Sequence, residues 1–182
     1  LYRDIAARHH IEEVPALREL AFQLISNPAG LVSFNKLKQQ LGLGSVTTVK
    51  NYVQYLEGSW LVMTANVFDA SVKRQQIAPK KIFGIDTGLI NAVGFHTSPN
   101  TGHLLENVVY LALRRATRDV YYYATPAGHE VDFYLPGEKL FVQVAQHLAH
   151  PGTYEREVRA LREAMTDIKG SRGLLLSMDA DA

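Results

Sequence analysis

The spacing of helix-breaking residues between positions 27 and 45 constrains this chain more than any other feature. Asn27-Pro28 ends whatever helix precedes it, because proline has no amide donor and its ring clashes with the preceding turn. Gly42-Leu43-Gly44 breaks the chain again, so only one short helix fits between the two. Before the first break, Leu17, Leu20, Ala21, Leu24 and Ile25 recur at helical spacing over residues 16–26, with Pro15 at the start. After the Pro28-Ala29-Gly30 turn, Ser33 suits the cap of a second helix whose Phe34, Leu37 and Leu41 face inward. Ser45 then caps a third over residues 46–57, where Val46, Val49, Val53 and Leu56 build one buried stripe.

The opposite face of that third helix carries Thr47, Thr48, Lys50, Asn51 and Gln54. With Ser45, these hydroxyls, amides and a cation near a helix N-terminus suit phosphates and base edges in a major groove. Three short helices with such a third face form a helix-turn-helix pattern. Two strand-like runs follow, Ser59 to Ala65 and Lys81 to Asp86, flanking a polar loop over residues 69–80. A β-hairpin in that place is a wing, which puts Lys73, Arg74, Lys80 and Lys81 at or beside its tip. Residues 36–81 hold seven basic and two acidic side chains, the sign expected of a phosphate-backbone binder. Double-stranded DNA is the partner this implies; the plain alternative is a trihelical core with a solvated basic loop.

The second half reads differently. Residues 103–116 form a helix that is apolar nearly all round and ends in Arg114-Arg115, as the helix dipole favours. Glu106 shares a face with Val109, Tyr110 and Leu113, so its carboxylate is aimed inward and needs a partner, a metal or a cavity. Strands follow over residues 119–125, 129–135 and 139–146. In the second, Val131, Phe133 and Leu135 take one face and Glu130, Asp132 and Tyr134 the other; in the third, Phe141, Gln143 and Ala145 share a face. An amphipathic helix over about 153–168 buries Tyr154, Val158, Leu161, Met165 and Ile168, its charged face solvated. A fully buried strand over 172–178 ends the series. The order predicts an α/β fold, α+β overall, with a mixed sheet in residues 96–182 behind a first domain in residues 1–95.

Three runs, Leu104 to Asn107, Gly128 to Phe133 and Lys80 to Leu89, resemble the region that follows the ATPase module in a large prokaryotic AAA family. The resemblance covers essentially the whole chain. It implies a winged helix-turn-helix domain coupled to a restriction-endonuclease-like mixed sheet flanked by helices, similar to the PD-(D/E)xK nucleases. In active members of that fold, carboxylates hold a divalent metal that activates water, and a lysine stabilises developing charge. Glu106 matches the helix glutamate and Asp132 the strand aspartate, which are the two metal-ligand candidates; Glu130 shares the face of Asp132. The (D/E)-x-K pair falls on Gln143-Val144-Ala145, where it fails, because an amide is a poor ligand for hard Mg²⁺ or Mn²⁺ and Ala145 carries no charge. Lys139 lies too far along the strand to substitute, and His147 is at best a stand-in ligand or base. The resemblance therefore implies a nuclease-like fold without catalysis, with weak metal-dependent cleavage and an oligomerisation or protein-interaction module as the alternatives.

No G-x-x-x-x-G-K-[S/T] occurs, so no ATP site or other cofactor is expected within these 182 residues, and ATP belongs to an upstream ATPase module. The chain opens on Leu1-Tyr2-Arg3-Asp4, without a signal-peptide pattern and without Met, which leads us to expect further sequence upstream. No apolar run approaches the roughly 18 residues of a membrane span. The absence of cysteine excludes disulfides and thiolate metal sites, and a cytoplasmic location is expected. Three consecutive tyrosines, Tyr121 to Tyr123, are candidates for a homo-oligomer contact or for strand-core packing.

Overall fold

The computed structural model describes residues 2–93, 101–149 and 151–179. Within them the element order is α1 (Tyr2–His9), α2 (Val14–Ser26), β1 (Leu31–Val32), α3 (Phe34–Gln40), α4 (Val46–Gly58), β2 (Val62–Ala65), α5 (Val72–Ile77) and β3 (Lys80–Gly84). There follow α6 (Thr87–Val93), α7 (Thr101–Ala116), β4 (Tyr121–Ala124), β5 (Glu130–Leu135), β6 (Leu140–Ala145), α8 (Pro151–Asp167) and β7 (Arg172–Ser177). The fold is mixed α and β, with eight helices and two sheets among the described residues. Contacts divide it into two compact units, Leu1–Thr64 with Pro79–Pro99, and Ala65–Ala78 with Asn100–Ala182. The boundary expected at 95/96 lies outside the described residues, and residues 65–78, expected with the first half, belong to the second unit.

In the first unit, the core forms where the helical periodicity places it. Leu17, Leu20, Ala21, Leu24 and Ile25 of α2 are buried, as are Leu37 of α3 and Val49, Tyr52, Val53 and Leu56 of α4. Ser45 caps α4 by accepting the Thr48 N–H at 3.0 Å. A three-stranded sheet of order β1-β3-β2 closes the unit, with β1 antiparallel to β3 (Leu31 opposite Lys81, Val32 opposite Lys80). Helix α6 packs tightly on β3: a Cβ built at Gly84 would stand 2.7 Å from Ile90 Cδ1, so the glycine is what permits the approach.

The second unit is a four-stranded sheet of order β4-β5-β6-β7, antiparallel across its first two pairings and parallel between β6 and β7. A parallel pair needs a crossover, and α8 is the helix that makes it. Ala160, Leu161 and Ala164 of α8 cover Tyr134 and Phe141, whose rings stack at 4.4 Å, while Tyr110 of α7 meets Phe133 on the alternate face at 6.0 Å. Residues 66–68 run beside β4: Phe68 N–H donates to Tyr122 O at 2.8 Å, Tyr122 N–H to Asn66 O at 3.0 Å, and the Phe68 ring lies 4.6 Å from Tyr134. Aromatic packing accounts for the tyrosine run, since Tyr122 is buried and Tyr123 sits edge-on to Phe141 at 5.1 Å. The last strand differs from expectation. It is the edge of the sheet, with Arg172, Gly173 and Leu174 exposed, because β6 pairs with only one side of it. Among the described residues no helix is long and apolar enough to cross a membrane.

Candidate functional site

Each unit presents one candidate site. In the first it is the outer face of α4. Thr47, Lys50, Asn51 and Gln54 are all exposed, at positions i, i+3, i+4 and i+7, and they back directly onto the buried valine stripe. Ser45 and Thr48 of the expected set are engaged otherwise: their hydroxyls lie 2.9 Å apart within the helix cap, and Thr48 is half-buried. The cap therefore fixes the start of α4 and leaves the four-residue stripe exposed.

The four cations expected at a wing tip are not gathered at one. Lys73 and Arg74 are exposed on α5 in the second unit, where Arg74 pairs with Asp69 at 3.1 Å. Lys80 and Lys81 are in β3 of the first unit, 9% and 2% exposed. The physical reason is that the segment between β2 and β3 carries α5 and the 66–68 stretch into the second unit, so it makes no tight hairpin. The surroundings of Lys80 are specific. Burial, then the neighbouring Lys50 ammonium, push its ammonium below the ordinary lysine value, while Glu57 acts in the opposite sense. Glu57 Oε1 accepts both the N–H and the hydroxyl of Thr64 on β2, at 3.0 and 2.8 Å.

In the second unit, a cavity of about 410 Å³ is lined by Glu106 of α7, Asp132 of β5, Gln143 of β6 and Glu157 of α8, with His103, His147 and Arg156 also on its wall. The structure thus brings together the three positions singled out from the sequence. Glu106, Asp132 and Gln143 are 7%, 8% and 6% exposed. Glu130 is outside the lining. The β5–β6 register sets Phe133 opposite Val142, and just beyond that pair the Asp132 N–H donates to the side-chain Oε1 of Gln143 at 3.1 Å. Gln143 Nε2 donates to Glu157 Oε2 at 2.6 Å, and Glu157 Oε1 accepts from Arg156 Nη2 at 2.6 Å. Asp132 Oδ2 accepts the Val144 N–H at 2.9 Å.

Sequence reasoning missed Glu157, placing it on a solvated face, although it is 8% exposed. The signal was present: Glu157 precedes Ala160, Leu161 and Ala164 at i+3, i+4 and i+7, and those three are the buried face of α8. His147 lies on the cavity wall with Nδ1 2.8 Å from Asp179 Oδ1, and the same carboxylate accepts Leu148 N–H at 2.6 Å. Lys139 stands in the turn before β6 with φ 47°, at the far end of that strand.

The donor set as arranged does not fit a hard divalent ion. Gln143, at the expected third ligand position, is an amide whose oxygen and nitrogen both serve protein partners, and one Asp132 oxygen accepts a backbone N–H. Among the described residues, no three histidine, aspartate or glutamate side chains converge closely enough to hold a metal.

Comparison with known proteins adds kinship. Residues 1–100 match the family described as Domain of unknown function (DUF8612). Uncharacterized protein MJ1544 of Methanocaldococcus jannaschii is 33% identical over 176 residues, covering 92% of this chain and 39% of that protein. An uncharacterized protein of Haemophilus influenzae is 28% identical over 152 residues, 78% of this chain and 37% of its own length. The chain thus spans about two-fifths of the length of these curated relatives. No solved structure matches it. With more than half its residues matched, in a segment that takes in all of α2, α3 and α4, the chain belongs to the DUF8612 family.

Proposed function

We propose that this chain is the DNA-binding and interaction region of a larger AAA-type ATPase. Its first unit acts as a winged helix-turn-helix module, and its second is a restriction-endonuclease-like fold that has lost catalysis. The observation that carries the reading is the exposed stripe Thr47, Lys50, Asn51 and Gln54 set on a helix whose other face is locked into a core. A rigid helix with that face enters a major groove without rearrangement. Lys73 and Arg74 belong to the second unit and are exposed there, Arg74 beside Asp69, so the reading rests on α4 without them. The longer relatives leave room for an ATPase module elsewhere in the parent protein, where ATP would be bound.

Loss of catalysis is supported by the hydrogen bonds of Gln143, which make the former ligand position a structural bridge. The test is anisotropy of a labelled duplex across salt concentrations. Binding that weakens steeply with salt is expected, as is a loss in Asn51→Ala that depends on duplex sequence. No binding at 50 mM salt, an order-of-magnitude low-salt condition, sinks the DNA reading and leaves a protein-interaction module. Duplex cleavage with Mg²⁺ or Mn²⁺ that Asp132→Ala abolishes would overturn the loss of catalysis.

A further inference from the structure

We propose that Arg8, with His9 beside it, holds a phosphate of the DNA backbone in a pocket where the end of α1 meets the end of α4. The inference rests on the DNA-binding reading and adds to it a contact outside the set expected from the sequence. A cavity of about 490 Å³ lies there, lined by Arg8 and His9 of α1 and by Gln54, Tyr55, Gly58 and Ser59 at and just past the end of α4. Ile5 of α1 is 5% exposed, and the His9 ring stacks on Tyr55 at 3.7 Å with the two planes 10° apart. These contacts hold α1 in place, and Arg8 is exposed beside the stack.

No carboxylate lines the pocket, while the Arg8 guanidinium, the His9 imidazole, the Gln54 amide and the Tyr55 hydroxyl all offer hydrogen-bond donors. That set suits an anion. The helix ends do not use it up. The last carbonyls of α4, on Tyr55, Leu56 and Glu57, accept the N–H groups of Ser59, Leu61 and Trp60 at 3.0, 3.0 and 2.9 Å, and in α1 the Ala6 carbonyl takes the Ile11 N–H at 3.0 Å. Gln54 belongs both to the pocket and to the exposed stripe of α4. About one helical turn further, where that stripe would continue, Gly58 carries no side chain and leaves the space open. From Thr47 to Gly58 the helix runs about 16 Å, more than the roughly 12 Å width of a major groove. With its first turns at base edges, its last turn comes up at the flanking phosphates. That turn carries no basic residue, and the carbonyl end of a helix repels phosphate. Arg8 supplies the missing cation from the neighbouring helix, which identifies the anion as a backbone phosphate. Such a contact fixes register on the duplex without reading sequence.

The experiment compares the whole chain with Arg8→Gln, Arg8→Lys and Gly58→Glu, using a labelled duplex of about 20 base pairs, roughly two helical turns, over a salt series. Arg8→Gln is expected to weaken binding to duplexes of different sequence alike and to reduce the slope of log K against log salt by about one, and Arg8→Lys to restore the slope. A Cβ at Gly58 meets no atom within 4 Å, so Gly58→Glu sets a carboxylate in the pocket and is expected to weaken binding at low salt. Thermal melts of both Arg8 variants should match that of the native chain. Binding by the native chain with slope and affinity unchanged in Arg8→Gln and Gly58→Glu overturns the pocket and spares the DNA reading. A loss in Arg8→Gln that comes with a lower melting temperature, and that Arg8→Lys does not rescue, also overturns it and assigns Arg8 to holding α1. Failure of the native chain to bind overturns both readings. If Gly58→Glu fails to fold, the two Arg8 variants still decide.

Discussion

Gln143 donates its side-chain amide to Glu157 Oε2 at 2.6 Å while its own Oε1 takes the Asp132 N–H at 3.1 Å. A side-chain amide offers a donor and an acceptor from one planar group, so it can join a strand backbone to a helix carboxylate. Replacing it with alanine leaves a buried N–H and a buried carboxylate oxygen without this partner. Gln143→Ala is therefore expected to lose about 1–3 kcal/mol of stability, read by urea denaturation. Gln143→Glu sets two carboxylates against each other, which raises the pKa of the pair. Its destabilisation should be larger at pH 7.5 than at pH 5, both chosen about the range where a raised carboxyl titrates. Equal losses at both would show that residue 143 does not face Glu157.

Ser45 closes the first turn of α4 by accepting the Thr48 N–H, and its hydroxyl lies 2.9 Å from that of Thr48. Ser45→Ala should cost about 1 kcal/mol, and Ser45→Asp should recover most of it. Thermal melts of the two variants check this. A loss of DNA affinity in Ser45→Ala far beyond its stability loss would instead make the hydroxyl a contact.

Gly84 and Ile90 fix the distance between β3 and α6. A methyl at position 84 meets both Ile90 Cδ1 at 2.7 Å and Cγ1 at 2.8 Å, and Ile90 is 1% exposed, so the side chain has nowhere to turn. Gly84→Ala is expected to destabilise by about 1–3 kcal/mol through overpacking. Adding Ile90→Val removes the nearer atom, so the pair should cost less than the sum of the singles in a double-mutant cycle.

Two carboxylates of the second unit contribute to its response to acid. The Glu163 carboxyl is held below its ordinary value mainly by its 2.7 Å hydrogen bond with His129, helped by Thr125. That of Asp179 is lowered first by His147 at 2.8 Å and then by the Leu148 N–H. A carboxyl with a depressed folded pKa adds stability above its unfolded pKa and loses it as pH falls through the folded value. Stability should therefore decline from the ordinary carboxylate range, about pH 4, downward. Glu163→Gln and Asp179→Asn should each flatten that acid limb in denaturation measured at stepped pH. An acid limb unchanged in both variants would count against these two groups.

Much of the first unit was legible because its core follows one period. The stripes of α2 and α4 needed only Leu17 to Ile25 and Val46 to Leu56, and breakers at Pro28 and Gly42 set the bounds of α3. Helix α5 was not legible. It is six residues long, its apolar Val72 and Ile77 are exposed, and only the Ser71 cap on Arg74 N–H marks it. Charge misled at Lys80 and Lys81, which read as solvated although a strand of that sequence is covered on both faces. Size misled in α8, where Tyr154 suggested the buried face and is 51% exposed, while the smaller Ala160 and Ala164 lie inside with Glu157. The run Leu174-Leu175-Leu176 looked interior because composition does not reveal that a strand is the last in its sheet.

The site in the second unit was partly readable for the same reason that its strands were. Alternation put Asp132 and Gln143 on defined faces, and a lone acid on the apolar α7 marked Glu106. Their bridging by a residue fourteen positions further on required the crossover of α8, which no local pattern encodes.

Residues 65–78 leave the sheet of the first unit after β2, bond to Tyr122 and Phe68's ring partners in the second, and return as β3. The polypeptide therefore passes from one unit to the other three times, and neither is a continuous piece of chain. A single proteolytic nick near residue 95 cannot yield two self-sufficient fragments. The N-terminal one would keep Phe68 with nothing to cover it, and the C-terminal one would expose the edge of β4. Genetic excision of either half is thus a poor route to studying it, and mutational loss in one unit should be felt as reduced cooperativity in the other.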